Sequence, residues 1–473
     1  MNILLYFAGV LILVALLFVA KKRLIEIITI ALFSMWQISF NIFILKSFEV
    51  SFASSYLYVD KLSIIFVSLV SVISVLSLTN SFSYLENQQN TPRQRKIYFA
   101  ALMIFFALMN IGFIVNNGVL LWVLVETTTL LVAILVYHER NSLSLEATWK
   151  YVFVSTIGLS LSLIGIILMN IAIENPEMST HFFNNIAQNI EISNKILFQI
   201  AFILIIIGFS VKMEIFPLHT VCVDANSVAP TPVSAVISTS LANLGFVTIF
   251  RFYKIVANTQ LANWANNVLY IIGFLSILYA AVYIIRVRHY KRMTAYSSIE
   301  HMGLSTIAIA TGGIGWFAAI IHLILHSIIK SSLFIELSNV LQTFKTKRIA
   351  GVYQYFKVNP IGAITLLLAV VLILGLPPSA MFLTELMIFK ALIDKKLLWL
   401  AIFVALLMTV IIWIFVKNTY RMLFHKSNQP IENGSFEPVW ALSIPQLLVL
   451  LAVVIFSVFP PNFLIDFLKN ALN

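Results

Sequence analysis

Residues 208–237 read GFSVKMEIFPLHTVCVDANSVAPTPVSAVI and combine apolar runs with a closely spaced lysine and glutamate, Lys212 and Glu214. Three prolines separate the run that carries these charges from the apolar run that follows: Pro217, Pro230 and Pro232. Proline removes a backbone donor and interrupts a helix. The stretch therefore predicts a helix that is broken beside a buried lysine.

The composition of the whole chain indicates that this helix lies in a membrane. Of 473 residues, 60% are hydrophobic and only 10% are charged, whereas soluble domains average about 25% charged residues. This excludes a water-soluble enzyme of this length. The single cysteine, Cys222, excludes a disulfide framework, a c-type haem site and an iron–sulfur cluster held by the chain's own thiolates. We expect no cofactor and no metal in this chain, so any electrons are carried by a partner.

Apolar stretches long enough to cross a bilayer, about 20 residues each, recur along the chain and predict an all-α polytopic membrane protein with about fourteen transmembrane helices. The predicted spans cover residues 3–20, 24–45, 61–83, 97–115, 118–137, 150–173, 196–217, 230–253, 266–285, 293–311, 314–338, 359–391, 397–416 and 438–460.

A second proline break lies in LGLPPSAMFLTELMIF, residues 374–389, where Pro377 and Pro378 precede Glu385. Interrupted helices at matching places in two halves indicate a transporter with internal repeats. We predict one membrane domain over 1–473, with N-terminal helices in 1–96, two inverted five-helix repeats in 97–253 and 266–424, and a last helix and tail in 438–473. Ordinary kinking by proline is the competing interpretation.

The basic residues predict the orientation. With these spans, nineteen of the 30 lysines and arginines lie on one side of the membrane, eight on the other, and three within spans. The positive-inside rule makes the richer side cytoplasmic, so we expect a cell inner-membrane protein with both termini outside. The net charge of +11 then reflects topology, and nucleic acid is not an expected partner.

Ionisable residues at membrane depth are costly and are functional hypotheses by default. The predicted spans keep several such residues, and those proposed for function are Glu126, Lys212, His322, His326, Lys330 and Glu385. Any one of them could instead be a structural contact between helices. The two further acids, Glu214 and Glu336, are interpreted as structural or snorkelling side chains.

His322, His326 and Lys330 recur every four residues and therefore share one helix face. Neutral imidazole accepts a proton at one nitrogen and donates from the other, so the stripe favours a proton relay. A metal site and a structural polar face are the alternatives. The metal site is disfavoured because no carboxylate or cysteine follows at ligand spacing.

Four segments carry a family resemblance: residues 208–237, KRMTAYSSIEHMG at 291–303, AAIIHLILHSIIKSSLF at 318–334, and residues 374–389. In this order they resemble the proton-translocating antiporter-like subunits shared by respiratory complex I, Mrp-type antiporters and group 4 hydrogenases. The segment SLEATWKY, residues 144–151, is most similar to the branch of hydrogenase-4 component F.

The resemblance implies that a glutamate of the fifth helix pairs with a lysine of the seventh, and that an acid of the twelfth exchanges protons with the outside. Glu126, Lys212 and Glu385 stand at those positions. The histidine-bearing eleventh helix and the five proline positions also match. Asn243 stands where several complex I subunits have a lysine, and it is a possible central polar link. Asn226 stands where a histidine is common.

These observations predict a proton-translocating subunit of a redox-driven complex of the hydrogenase-4 or NADH:quinone oxidoreductase type. The expected surroundings are the lipid bilayer and other membrane subunits, with hydrogenase-like or quinone-reducing subunits among them. A Mrp-type cation/proton antiporter, a proton-coupled inorganic-carbon uptake complex, and a mainly architectural subunit remain as alternatives. The mechanism expected is a switch in which Lys212 separates from Glu126 and a proton moves along His322, His326 and Lys330 towards Glu385.

Overall fold

The computed structural model describes residues 3–47, 56–86, 90–173, 183, 190–426, 440–461 and 466–467. Within these residues the regular secondary structure is helical, with isolated β-bridges but no strands. The helices are α1 (Ile3–Val19), α2 (Arg23–Lys46), α3 (Lys61–Glu86), α4 (Pro92–Ile114), α5 (Gly118–Val136), α6 (Ser142–Ile171), α7 (Lys195–Met213), α8 (Thr220–Val228), α9 (Thr231–Val236), α10 (Ala242–Ala257), α11 (Ala262–Ile284), α12 (Tyr290–Thr311), α13 (Ile314–Phe344), α14 (Tyr355–Val358), α15 (Pro360–Ile373), α16 (Ala380–Asp394), α17 (Leu398–Phe424) and α18 (Trp440–Val458).

Ten spans in the described part of the chain are long and apolar enough to cross a membrane, and α1, α15 and most of α18 form shorter apolar helices. Each of the fourteen predicted spans coincides with a helix or with helices that follow one another. The prediction of an all-α polytopic fold is confirmed. The helix of the tenth predicted span, α12, is not among the ten because Glu300, His301 and several serines and threonines make it less apolar than the others.

Several helix ends differ from the predicted boundaries, by up to eight residues at α17, which ends at Phe424 rather than at 416. Two of these differences have a clear local cause. The sixth helix begins at Ser142 rather than near residue 150, because Asn141 caps it by accepting a hydrogen bond from the backbone of Ser144. The seventh ends at Met213 rather than at 217, because Glu214 adopts the left-handed conformation with φ 60°.

Segments predicted on the same membrane side contact one another. On the basic side, Arg95 pairs with Glu26 at 2.8 Å, and His289 forms a β-bridge with Arg348. On the other side, Leu57 forms a β-bridge with Val115. These contacts agree with the alternation of sides that the basic residues predicted.

Glycines allow close packing where the interrupted helices meet their neighbours. A Cβ at Gly208 of α7 would lie 2.4 Å from the Gly158 carbonyl oxygen of α6. A Cβ at Gly245 of α10 would lie 2.5 Å from the backbone nitrogen of Met213. Small residues allow membrane helices to approach closely, so α7 is held tightly between α6 and α10.

The prolines mark the breaks in the expected places. Pro217 lies in the non-helical segment between α7 and α8, and Pro377 and Pro378 lie in the segment between α15 and α16. Pro230 and Pro232 begin α9, where proline is compatible with a helix start. A π-helical turn, Ile237–Leu241, then joins α9 to α10. The five prolines therefore lie in gaps or at a helix start and not inside a continuous helix.

Candidate functional site

Lys212 is fully buried in the last turn of α7. Its Nζ donates hydrogen bonds to Thr129 Oγ1 at 2.8 Å and to the Tyr151 hydroxyl at 2.9 Å. It also lies 4.9 Å from the centre of the Tyr151 ring. The amine is thus held by neutral oxygens from α5 and α6, which can accept a hydrogen bond from either of its protonation states.

Glu126 is half-buried on α5, and its Oε1 accepts a hydrogen bond from Thr156 Oγ1 at 2.9 Å. Among the described residues no ion pair within 4.0 Å joins it to Lys212. The direct pair expected between Glu126 and Lys212 is therefore not formed in this conformation. Thr129, which binds Lys212, lies three residues after Glu126 and so on the adjacent turn of α5.

Glu214 is interpreted from the sequence as a structural or a snorkelling acid, and its burial, with only 1% of the residue exposed, disagrees with snorkelling and leaves the structural interpretation. Glu214 follows α7 directly, and its Oε1 accepts a hydrogen bond from Asn226 Nδ2 of α8 at 3.0 Å. Asn226, which stands where a histidine is common in the family, is thus in contact with this acid.

Asn243 of α10 lies two residues before Gly245, the glycine that packs against Met213. Its Nδ2 donates to Ser327 Oγ of α13 at 2.8 Å. Ser327 lies between His326 and Lys330 in sequence, so Asn243 connects the first interrupted helix with the histidine-bearing helix.

Lys330 is fully buried, and its Nζ donates to Ser297 Oγ of α12 at 2.5 Å. Two carboxyl groups, those of Glu214 and Glu300, are near enough to interact with its charge. The charge of Lys330 therefore interacts with an acid of the first half and an acid of the second.

The sequence reasoning missed two residues of this site, Glu300 and His301 of α12, which are 2% and 1% exposed. Both lie in the segment KRMTAYSSIEHMG, which carries part of the family resemblance. The signal was nevertheless present, since both side chains are ionisable and fall within the predicted span 293–311. Applying the membrane-depth rule to that span would have found them.

His301 joins the two histidines of α13. Its Nδ1 lies 3.2 Å from His322 Nε2, and its ring centre lies 5.2 Å from that of His326. The Thr384 hydroxyl donates to the Met381 carbonyl at 2.8 Å and lies 2.9 Å from His322 Nδ1. Because that hydroxyl proton is used, Nδ1–H of His322 donates to Thr384, and His322 Nε2 accepts from His301.

Glu385 follows Thr384 directly, and its carboxyl group fills the second helix break. A Cβ at Gly375 would lie 2.4 Å from Glu385 Oε2, and Gly375 has φ +61°. The break therefore needs glycine both for its backbone conformation and for space. Glu385 also lies near enough to Glu300 for charge interaction.

A proton moving towards Glu385 would meet His322, His326 and Lys330 of α13 in the reverse of the expected order. His322 contacts Thr384 beside Glu385, whereas Lys330 faces Glu214 and the first half of the chain. A route from Lys212 towards Glu385 therefore meets Lys330 first and His322 last.

Buried polar atoms without a hydrogen-bond partner follow this route in the described part of the chain. They are Glu126 Oε2, Asn243 Oδ1, Glu300 Oε2, His301 Nε2, both ring nitrogens of His326, and Glu385 Oε1. Within the same described residues, no group of three or more His, Cys, Asp or Glu side chains could hold a metal ion.

A cavity of about 300 Å³ opens beside α8 on the basic side, and Glu146, Asp224, His289, Arg292 and Lys347 contribute to its lining. Arg292 donates to Asp224 at 2.8 Å. Burial lowers the pKa of His289, and the neighbouring charges of Arg292, Arg348 and Lys347 lower it further. The cavity reaches from the surface to the helix that carries Asn226.

Comparison with known proteins places these features in a family. Residues 116–411 match the family described as NADH:quinone oxidoreductase/Mrp antiporter, TM. The chain is 29% identical over 424 residues to a hydrogenase-4 component F homolog of Methylacidiphilum infernorum, covering 88% of each chain. It is 28% identical over 349 residues to NADH-quinone oxidoreductase subunit N of Azobacteroides pseudotrichonymphae, covering 72% of this chain and 70% of the relative.

A solved structure shares the fold. A chain of the Mrp complex from Dietzia sp. superposes with a TM-score of 0.85 over 99% of this chain and 96% of that chain, at 15% identity. The matched family region contains both helix breaks and every ionisable residue of the route.

Proposed function

This chain belongs to the family of membrane subunits described as NADH:quinone oxidoreductase/Mrp antiporter, and from that membership we propose that it translocates protons within a larger redox-driven complex. The family resemblance stated from the sequence is confirmed, and the chain is an antiporter-like membrane subunit. The observation that carries the proposal is the buried row of ionisable groups from the first helix break to the second.

The proposed route begins at Lys212, passes the acid Glu214 to Lys330, and continues through the histidines to Glu385. Unpartnered buried polar atoms along it are sites where water can bind, since buried water bonds to polar groups that lack protein partners. Water would therefore connect groups that do not touch directly.

Transfer through the histidines follows from their hydrogen bonds. A proton binds to the open Nε2 of His301 and makes the ring an imidazolium. The proton on His301 Nδ1 passes to His322 Nε2, and the proton on His322 Nδ1 leaves towards Thr384 and Glu385. Each ring gains one N–H bond and loses another, so both finish neutral in the other tautomer and must reorient before the next cycle.

The proposed switch lies at Glu126. In this conformation Glu126 binds Thr156, and Lys212 binds hydroxyl groups. A pair at 4 Å would stabilise the protonated lysine by about 4 kcal/mol at an effective dielectric constant near 20. A change in a neighbouring subunit that brings the two together would load Lys212, and their separation would release its proton to the route.

The partners proposed are hydrogenase-like or quinone-reducing subunits, because the relative from Methylacidiphilum infernorum is a hydrogenase-4 component homolog. We propose that the chain lies in the cell inner membrane, that its basic side faces the cytoplasm, and that both termini lie on the opposite side. A Mrp-type antiporter assembly is the second candidate, since the fold also matches a chain of the Mrp complex.

The test is purification of the complex with its partners, identification of the copurifying subunits, and measurement of proton uptake by the complex in proteoliposomes. Redox subunits and proton uptake driven by their reaction are expected. A set of antiporter subunits without redox proteins would overturn the redox assignment.

Lys212→Met then tests the route itself. Proton uptake should fall by about a hundredfold or more while the complex still assembles. Lys390→Met is the matched control, because Lys390 of α16 is exposed and undergoes the same change. Normal uptake by Lys212→Met would defeat the route.

A further inference from the structure

Glu336 of α13 is a further buried acid, and the route above does not use it. It is fully buried, so its interpretation as a snorkelling side chain is wrong. The Tyr355 hydroxyl donates to its Oε1 at 2.6 Å, and Asn339 Nδ2 donates to its Oε2 at 3.1 Å. Asn339 also donates to Ser443 of α18 at 3.2 Å.

Four helices close around this carboxyl group. Asn339 comes from α13, Tyr355 from α14, and Ser443 from α18, while α15 approaches so closely that a Cβ at Gly362 would lie 2.5 Å from Glu336 Oε1. Among the described residues, no ion pair includes Glu336, and the phenol of Tyr355 is the titratable group in contact with it. No cation therefore fixes the carboxyl group in its ionised form.

The position of Glu336 connects the basic side with Lys330. Glu336 is six residues after Lys330 and eight before Phe344, the end of α13, which correspond to about 9 Å and about 12 Å along the helix. The residues that follow α13 include Lys345, Lys347 and Arg348 of the basic side. Glu336 thus lies between that surface and the middle of the route.

The groups around the Glu336 carboxyl can stabilise both its ionised and its neutral form. Two donors and the start of α15, whose backbone N–H groups carry partial positive charge, favour the carboxylate. Burial without a cation favours the neutral acid. Nearby, Asn339 Oδ1 and Gln446 Oε1 are buried without a hydrogen-bond partner in the described part of the chain, so water has acceptors on α13 and α18.

We propose that Glu336 is the residue through which the second half of the chain takes up protons from the basic side and loads Lys330. A proton from the basic side forms an O–H bond on Glu336. That bond then breaks as an N–H bond forms on neutral Lys330 through intervening water, and the carboxylate is restored. This inference rests on the proposed function, because it supplies protons to the same route.

The competing possibility is that Glu336 only joins the four helices. Two substitutions separate the roles because one keeps side-chain length and the other keeps acidity. Glu336→Gln preserves the contact distance, and Asn339, whose Oδ1 is unpartnered, can accept from the new amide after its own amide reverses. Glu336→Asp keeps a titratable group but is one methylene too short to reach Tyr355.

Proton uptake by the whole complex in proteoliposomes tests the inference. We expect Glu336→Gln to lower uptake by about a hundredfold with normal assembly, and Glu336→Asp to retain more uptake than the glutamine variant. Glu191→Gln is the matched control, since Glu191 is exposed. Uptake by Glu336→Gln that equals or exceeds that of Glu336→Asp would overturn the proposal.

Lys212→Met, measured in the same vesicles, distinguishes a failure of the role proposed for Glu336 from a failure of the proposed route. If that variant loses uptake and Glu336→Gln does not, only the role of Glu336 fails. If Lys212→Met keeps normal uptake, the proposed route itself fails. Should the glutamine variant not assemble, the aspartate variant decides alone, because a purely structural Glu336 predicts assembly and uptake lost together, whereas a proton carrier predicts assembly with measurable uptake.

Discussion

The two helix breaks use the same backbone device but hold opposite chemical groups. At the first, Lys212 lies before the break and binds the hydroxyls of Thr129 and Tyr151. At the second, Glu385 lies after the break, and its carboxyl group packs against Gly375. A helix C-terminus favours a cation and a helix N-terminus an anion, although the effect is weaker at the distance of Glu385 from the start of α16. One architecture therefore places a base at one end of the proposed route and an acid at the other.

Glycine supports the two breaks differently, and Gly245→Ala should have the largest effect on stability. A Cβ there would lie 2.5 Å from Met213 N and 2.7 Å from the Lys212 carbonyl carbon, which are backbone atoms and cannot rotate away. We expect a loss of about 3 kcal/mol of stability, measured by thermal unfolding of the purified complex. An unchanged unfolding temperature would show that α10 and α7 can separate freely.

At the second break, Gly375→Ala should reduce function more than stability. The added Cβ would meet the carboxyl group of Glu385, which can move, while the positive φ costs about 1 kcal/mol. We expect proton uptake to fall by about tenfold, the equivalent of 1.4 kcal/mol, with a smaller loss of stability than in Gly245→Ala. A larger loss of stability than in Gly245→Ala would reverse the comparison.

The contact between the histidines and the second break is tested by Thr384→Val. Valine keeps the shape of threonine but removes the oxygen that accepts from His322 Nδ1. Without that acceptor the tautomer of His322 is no longer fixed, and we expect uptake to fall about threefold to tenfold, as the loss of one hydrogen bond of about 1 kcal/mol predicts. Thr409→Val is the control, because the Thr409 hydroxyl is exposed and donates to a carbonyl group of its own helix. Equal effects of the two substitutions on proton uptake would show that Thr384 does not take part in the proposed route.

The smallest expected effect is at the cavity beside the first break. The pKa of His289 is lowered in the folded protein, so the fold favours the neutral ring. The associated stability is present above the ordinary pKa of about 6.5 and is lost as the pH falls through the lower folded pKa. His289→Gln should therefore lose less stability than the unchanged protein between neutral and acidic pH, measured by thermal unfolding across that range. Parallel curves would show that His289 does not contribute.

Much of the fold could be predicted because membrane insertion depends on local sequence. Apolar length predicted the helices, although some ends are displaced by up to eight residues, as at the start of α6, which Asn141 caps, and at the end of α17. The cost of an ionisable side chain at membrane depth identified Glu126, Lys212 and Glu385 as candidates from the sequence. Glu300 and His301 were missed because their span was interpreted only through its resemblance, and not because the signal was absent.

The sequence by itself determined that this is a helical membrane protein, that two of its helices are interrupted, and that bases and acids are retained at membrane depth. The free energy of placing a segment in lipid depends mainly on that segment, so these properties can be obtained from one stretch at a time. Only the tertiary structure decided which polar groups meet: Lys212 with hydroxyls rather than with Glu126, His301 with His322, and Glu336 with Tyr355. Those contacts join different helices, and they depend on how each helix is rotated and where each break ends.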